Sequence, residues 1–225
     1  MQYKYIIKFE GGDEKVIDIQ LDADTLTLQS PNSPNPPEWA LLDQGKCALC
    51  PLDSAGHKYC PIALSLSNII RDFSDKASTM LVDARVITRE REYSKRTSLQ
   101  SVLSSIIGIH MVTSGCPVMN ILKPMAAYHL PFASLSETVY RSVSSYLLQQ
   151  YLRKKKGLDP DWELNKLTKA YEDIEKLNQG IVDRVRKGSS LDANYNAVII
   201  LDVFAKMVPR TIDQSLPSKG FQLPD

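Results

Sequence analysis

The stretch Tyr3-Lys4-Tyr5-Ile6-Ile7-Lys8-Phe9-Glu10-Gly11-Gly12-Asp13-Glu14-Lys15-Val16-Ile17-Asp18-Ile19-Gln20-Leu21 is written with the period of a β-hairpin. Tyr3, Tyr5, Ile7 and Phe9 alternate with Lys4, Ile6 and Lys8; Gly11-Gly12 breaks the run; Ile17, Ile19 and Leu21 alternate with Val16, Asp18 and Gln20. Successive strand side chains point to opposite faces, so the pattern predicts two antiparallel strands sharing one apolar face. That face needs a cover, and the rest of the chain supplies helices.

Outward from the hairpin, Thr25 to Leu28 reads as a third short strand. Pro31, Pro34, Pro36 and Pro37, interleaved with Asn and Ser, forbid regular structure and predict an extended connection. Trp39, Leu41 and Leu42 then return the chain to the core as an apolar plug. Leu66, Ile69, Ile70 and Phe73 predict a helix over 62–73 with Pro61 at its first position. Met80 to Tyr93 alternates again, with Val82, Ala84 and Val86 opposite Arg85, Arg89 and Arg91, and predicts one further strand. Thr97 to Gln100 has capping-box spacing and predicts a helix reaching about Val112. Pro117 and Pro124 bracket a short helical piece. In the C-terminal half, Leu135, Val139, Val143, Tyr146 and Leu147 mark one long helix. Leu164, Leu167, Tyr171, Ile174, Leu177, Ile181 and Val185 mark a second over 162–186, and Ala197, Ile200, Leu201 and Phe204 a third over 193–207. The run Arg153-Lys154-Lys155-Lys156-Gly157 suits a helix C-terminus, where cations favour the dipole and Gly supplies a left-handed cap.

Strands first and helices later predict an α+β fold: an N-terminal antiparallel sheet, hairpin plus later strand, packed with a C-terminal bundle of long helices. At 225 residues, 43% hydrophobic and 24% charged, the chain suits one domain over 1–215, mostly sheet and cysteine-rich loop to 95 and mostly helical over 97–210. Residues 216–225 read as a loose tail. The 27 basic residues against 26 acidic ones leave a net charge of +1, which draws the chain to neither nucleic acid nor an anionic membrane. The most apolar run, 102–112, contains Ser104, Ser105 and His110 and is too short to span a bilayer. The N-terminus alternates instead of forming a signal sequence, so the cytoplasm is the expected compartment.

In that compartment thiols stay reduced, and four cysteines point to ligands or redox groups before structural disulfides. Cys47-Ala-Leu-Cys50 is a CxxC pair, whose spacing lets two thiolates on a turn grip one metal or close a small disulfide. Cys60 follows in Tyr59-Cys60-Pro61 and Cys116 in Gly115-Cys116-Pro117. Cys50, Cys60 and Cys116 each precede a proline, and two of those prolines open helices. A thiol at such a position faces free N–H groups and the positive end of the dipole, which predicts a favoured thiolate. The expected metal site is Cys47, Cys50, Cys60 and Cys116, with His57 as a substitute ligand. Four thiolates suit zinc and, by count, an iron–sulfur cluster equally. The alternatives are a redox thiol pair, and three reduced, metal-free thiols with Cys116 as a small buried hydrophobe. Cys116 with His110 and His129 also invites a nucleophile reading, although nothing in the sequence sets their geometry. His129 reads better as a hydrogen-bonded residue at a bend between helices.

Arg85, Arg89, Arg91 and Lys95, with Tyr93 among them, form a candidate anion or single-stranded nucleic-acid face, against a solvated face paired with Glu90 and Glu92. No glycine-rich phosphate loop, HExxH, GxSxG or EF-hand pattern is present, which lowers the weight on the common enzyme classes.

The segments Cys47-Ala-Leu-Cys50-Pro51-Leu52, Tyr59-Cys60-Pro61-Ile62-Ala63, Ser114-Gly115-Cys116-Pro117 and Pro124-Met125-Ala126-Ala127-Tyr128-His129-Leu130-Pro131-Phe132, followed by Glu137-Thr138 and Tyr140-Arg141, resemble a family of uncharacterised bacterial proteins built on a domain of unknown function. The resemblance implies a bacterial cytoplasmic setting and supports treating the cysteines as one constellation; it implies no activity, substrate or catalytic residue. The sequence therefore predicts a non-catalytic metal-binding interaction or sensor module with a four-cysteine site, acting with a protein partner or a second copy. The runner-up is an iron–sulfur or thiol redox protein, followed by an anion or nucleic-acid binder through the arginine face.

Overall fold

The computed structural model describes residues 1–29 and 33–214. The expected tail at 216–225, and Pro31 of the connection, lie outside the described residues.

Strand β1 (Gln2–Phe9) pairs antiparallel with β2 (Glu14–Gln20), setting Tyr3 opposite Ile19 and Tyr5 opposite Ile17. On its other edge β1 pairs with β3 (Leu81–Ile87), Tyr5 facing Val86 and Ile7 facing Ala84. Strand β4 (Glu92–Ser98) completes an antiparallel sheet of order β2-β1-β3-β4. Tyr3, Tyr5, Ile7, Ile19, Val82, Ala84 and Val86 are all buried on one face, as the alternation requires. The opposite face carries the charges, Lys8 pairing with Glu14, Arg96 with Glu10, and Arg85 with Glu92 through two hydrogen bonds.

Two strand expectations are corrected. Met80 to Tyr93 is not one strand: the chain reverses at 88–91, where the Thr88 N–H donates to the Arg91 carbonyl at 2.9 Å and Thr88 Oγ1 accepts from the Arg91 N–H at 3.1 Å. A threonine side chain makes this turn without Gly or Pro, so polar–apolar alternation runs through it unbroken. The expected third strand at Thr25–Leu28 reduces to a single bridge between Leu21 and Leu28.

The buried face of the sheet is covered by helices. Helix α1 (Pro61–Asp72) begins with Pro61 at its first position. Helix α2 (Leu99–Thr113) is buried on nearly every side, from Leu99 through Val102, Ile106 and Ile109 to Thr113, and is the central element of the core. No side-chain cap forms at Ser98, its N-cap, so the capping box expected at Thr97–Gln100 is absent; Thr97 belongs to β4. A box does form at Ser134 and Glu137, opening α3 (Leu135–Lys155). Between α2 and α3 a 3₁₀ segment (Pro117–Tyr128) runs through Pro124, whose missing N–H and ring disfavour a regular α-helix there. Helix α3 ends as expected: Gly157 takes φ 73°, its N–H reaches the Lys154 carbonyl, and the Leu158 N–H reaches Arg153, both at 3.0 Å. Helices α4 (Asn165–Lys187) and α5 (Ala193–Gln214) pack on each other, and α5 lies against α2 and α3. No single helix among the described residues is long and apolar enough to cross a membrane. The architecture is α+β, with the sheet N-terminal and the helices mostly C-terminal.

Candidate functional site

The four cysteines arrive from three segments. Cys47 and Cys50 sit on a turn closed by the Cys50 N–H on the Cys47 carbonyl at 2.9 Å. Cys60 is the N-cap of α1 and Cys116 the N-cap of the 3₁₀ segment, each followed by proline at the first helical position. Cys60 and Cys116 are buried, Cys47 and Cys50 partly so, and all four are free thiols. They line one small cavity of about 20 Å³, walled also by Leu42, Leu177, Ile181 and Arg184. Helix α4 forms one side, and Gly180 lets the loop approach it: a Cβ there would stand 3.3 Å from Cys47 Sγ.

Arg184 organises this corner. It is 2% exposed, yet no acidic residue pairs with it among the described residues. Its guanidinium instead donates to four main-chain carbonyls of the loop just before Cys47: Trp39 at 2.6 Å, Leu41 at 2.7 Å, Leu42 at 2.7 Å and Gly45 at 3.1 Å. This satisfies the planar donor fork and fixes the apolar plug against α4. Sequence reading missed Arg184, although its spacing from Leu177 and Ile181 puts it on the buried stripe of α4.

Electrostatics favour the thiol over the thiolate at Cys47 and Cys116. Burial pushes Cys47 up, repulsion from Cys60 and Cys50 adds to that, and Arg184 opposes it. Burial likewise pushes Cys116 up to about 11, against the lowering effect of the Val118 and Met119 N–H groups. The thiolate expected at the Cys116 N-cap is therefore corrected: the helix donors are present, and desolvation outweighs them. The nucleophile reading also loses its base. His110 Nδ1 is 3.1 Å from the Ser65 carbonyl and burial lowers its pKa to about 4. His129 Nε2 is 2.7 Å from Tyr5 Oη and 3.3 Å from Ser105 Oγ, with its pKa lowered to about 3 by burial. His129 thus is the hydrogen-bonded bend residue read from the sequence, capping the 3₁₀ segment.

The remaining candidates stand apart. His57 is exposed on a turn closed by its N–H on Asp53 and does not line the cysteine cavity. Arg85 lies on the open sheet face, engaged by Glu92, whereas Arg89 and Arg91 are exposed in the β3–β4 turn, so the three do not form one strand face. No group of three or more His, Cys, Asp or Glu among the described residues is arranged to hold a metal ion. The four thiols share a cavity without forming a closed ligand tetrad.

A second, larger cavity of about 330 Å³ lies between α2, the 3₁₀ segment, α4 and α5, with Lys95 and Arg141 among its lining residues. No sequence motif announces it, because its walls come from elements far apart in the chain. The whole is an α+β protein with a sheet open on one face and two cavities that α4 helps to wall. The chain belongs to the family described as domain of unknown function (DUF6901), whose family model matches residues 1–221. No curated protein and no solved structure matches it significantly.

Proposed function

We propose that the protein is a non-catalytic metal-binding module in which Cys47, Cys50, Cys60 and Cys116 take up one zinc ion, joining the cysteine loop to the starts of α1 and the 3₁₀ segment. The observation that carries this is the convergence of four thiols from three segments on one cavity of about 20 Å³. A volume near that of one water-sized occupant suits a single ion and is small for an iron–sulfur cluster. The donor set is the soft tetrad that zinc prefers. Burial raises Cys47 first and repulsion from Cys60 and Cys50 adds to it, and a divalent cation in the cavity would favour the ionised sulfurs, with Arg184 offsetting part of their negative charge. Drawing the four sulfurs to ligand distance requires the Cys47–Cys50 turn, the less buried pair, to move inward. A redox or sensor thiol is less favoured, since reactive thiols need a lowered pKa and Cys47 and Cys116 have raised ones. The reducing cytoplasm is the compartment this reading needs. A protein partner or a second copy would meet the outer side of α3, where Leu148, Tyr151 and Leu152 are exposed.

The test is thermal unfolding of wild type and of Cys60→Ser and Cys116→Ser, each with zinc and with chelator. Zinc should raise the wild-type Tm, and chelator should remove that gain; both variants should lose the response. A Tm indifferent to zinc and chelator in the wild type would overturn the reading in favour of buried, metal-free thiols.

A further inference from the structure

The larger cavity is not explained by the cysteine site, and its lining combines apolar walls with serine hydroxyls, His129 and the polar groups of Lys95, Arg141 and Asn178. At about 330 Å³ it falls within the range of ligand pockets, roughly 300–1,000 Å³. Met111, Met119, Leu122, Phe132 and Leu201 supply apolar walls. At one end is Arg141, whose Nη2 donates to the Met125 and Tyr128 carbonyls at 3.0 and 2.8 Å. No acid forms a salt bridge with it among the described residues. The carboxylate it feels, Glu137, is committed to the α3 capping box through Ser134. Lys95, on the inward side of β4, lines the same cavity and bears on Glu137. At the other end is Asn178, 2% exposed, whose Oδ1 has no hydrogen-bond partner. A buried amide oxygen left unsatisfied is costly, so its presence on a cavity wall asks for an occupant. Tyr171, beside Arg141, and Asn178 lie on one side of α4 with Ile174 between them, all three lining the cavity. Seven residues of helix at 1.5 Å each set Tyr171 and Asn178 about 10 Å apart along α4, with Arg141 on the Tyr171 side.

We propose that this cavity binds a small amphipathic carboxylate: an anionic head at Arg141 and Lys95, an unbranched apolar body along the methionine-lined wall, and a hydroxyl or similar polar group meeting Asn178. The class follows from the dimensions. A single medium-length aliphatic chain suits a cavity of about 330 Å³. Methionine-rich walls adapt to a flexible chain. The site is independent of metal at the cysteines, and the two readings fail separately.

The experiment is isothermal titration calorimetry of the full chain with decanoate, ω-hydroxydecanoate and decanol, repeated on Lys95→Met, Arg141→Gln and Asn178→Leu. Decanoate should bind at least about tenfold tighter than decanol, the effect of one charge-assisted hydrogen bond. ω-Hydroxydecanoate should exceed decanoate by about two- to tenfold. Asn178→Leu should erase that second preference while leaving decanoate affinity in place, and should raise the Tm of the free protein by removing the orphaned amide. Lys95→Met, at an exposed position, should weaken decanoate even if Arg141→Gln fails to fold. No binding of any probe to folded wild type at millimolar concentration would overturn the proposal, as would equal affinity for decanol and decanoate.

Discussion

Replacing Arg184 tests how the cysteine corner is held. Arg184→Met removes four hydrogen bonds and strands the carbonyls of Trp39, Leu41, Leu42 and Gly45 beside an apolar helix face. Bonds from a charged donor contribute about 1.5–3 kcal/mol each when removed singly. They share one rigid group and are not additive, and deleting a buried charge recovers part of its desolvation cost, so the expected loss is about 3–5 kcal/mol. Against a typical domain stability of about 5–15 kcal/mol this is a large fraction. Arg184→Lys is the discriminating partner: it keeps the charge and loses the planar fork, so it should still cost at least about 2 kcal/mol. Urea unfolding followed by tryptophan fluorescence should show both midpoints falling at unchanged slope, Met by roughly 1 M or more. Trp39 lies in the affected loop, and Cys47 should become more accessible to a thiol reagent in both variants. If both unfold within about 0.5 kcal/mol of wild type, the guanidinium does not hold the loop and the account of this corner is wrong.

Other outcomes follow from the same packing. His110, buried and lowered to about 4, is neutral in the folded chain and takes up a proton on unfolding below its ordinary pKa near 6.5. Its contribution is complete above that value and is lost as pH falls toward 4; at pH 5 the loss is about 2 kcal/mol, and the urea midpoint of wild type should fall faster than that of His110→Leu on acidification. Cys116, raised to about 11 from an ordinary value near 9, behaves oppositely: in chelator its contribution is present below pH 9 and falls away as pH rises toward 11, which Cys116→Ala should not show. A Cβ at Gly188 would stand 2.7 Å from Trp39 Nε1 and 3.0 Å from Ile70 Cγ2, so Gly188→Ala should destabilise by about 1–3 kcal/mol through overpacking, read as a lower Tm.

The fold is legible wherever period and burial agree. The first hairpin declares itself because each inward position is aromatic or branched, and the C-terminal helices because their apolar stripes repeat for several turns. The β3–β4 reversal is hidden because Thr88 turns the chain through its own hydroxyl, leaving no Gly or Pro as a mark. The capping-box spacing at Thr97–Gln100 misleads, and the same spacing at Ser134–Glu137 is the one that forms, since Thr97 is held in strand pairing with Val82. That Cys60 and Cys116 sit at helix starts is readable from the prolines that follow them, and the raised pKa of Cys116 is not, since it depends on burial in the folded chain. Arg184 is findable from its place on the α4 stripe. Arg141 and Asn178 are not: their significance lies in a cavity assembled from distant elements, which no local pattern encodes.

The proposal that one metal ion draws the four cysteines together is tested most directly by elemental analysis, with an ultraviolet–visible spectrum, of protein purified without oxygen and without a metal-chelate column. The account predicts about one equivalent of zinc per chain and no visible absorption. Iron with broad visible absorption would contradict it in favour of a cluster, and protein free of either metal, with four titratable thiols, would contradict it in favour of a reduced thiol core.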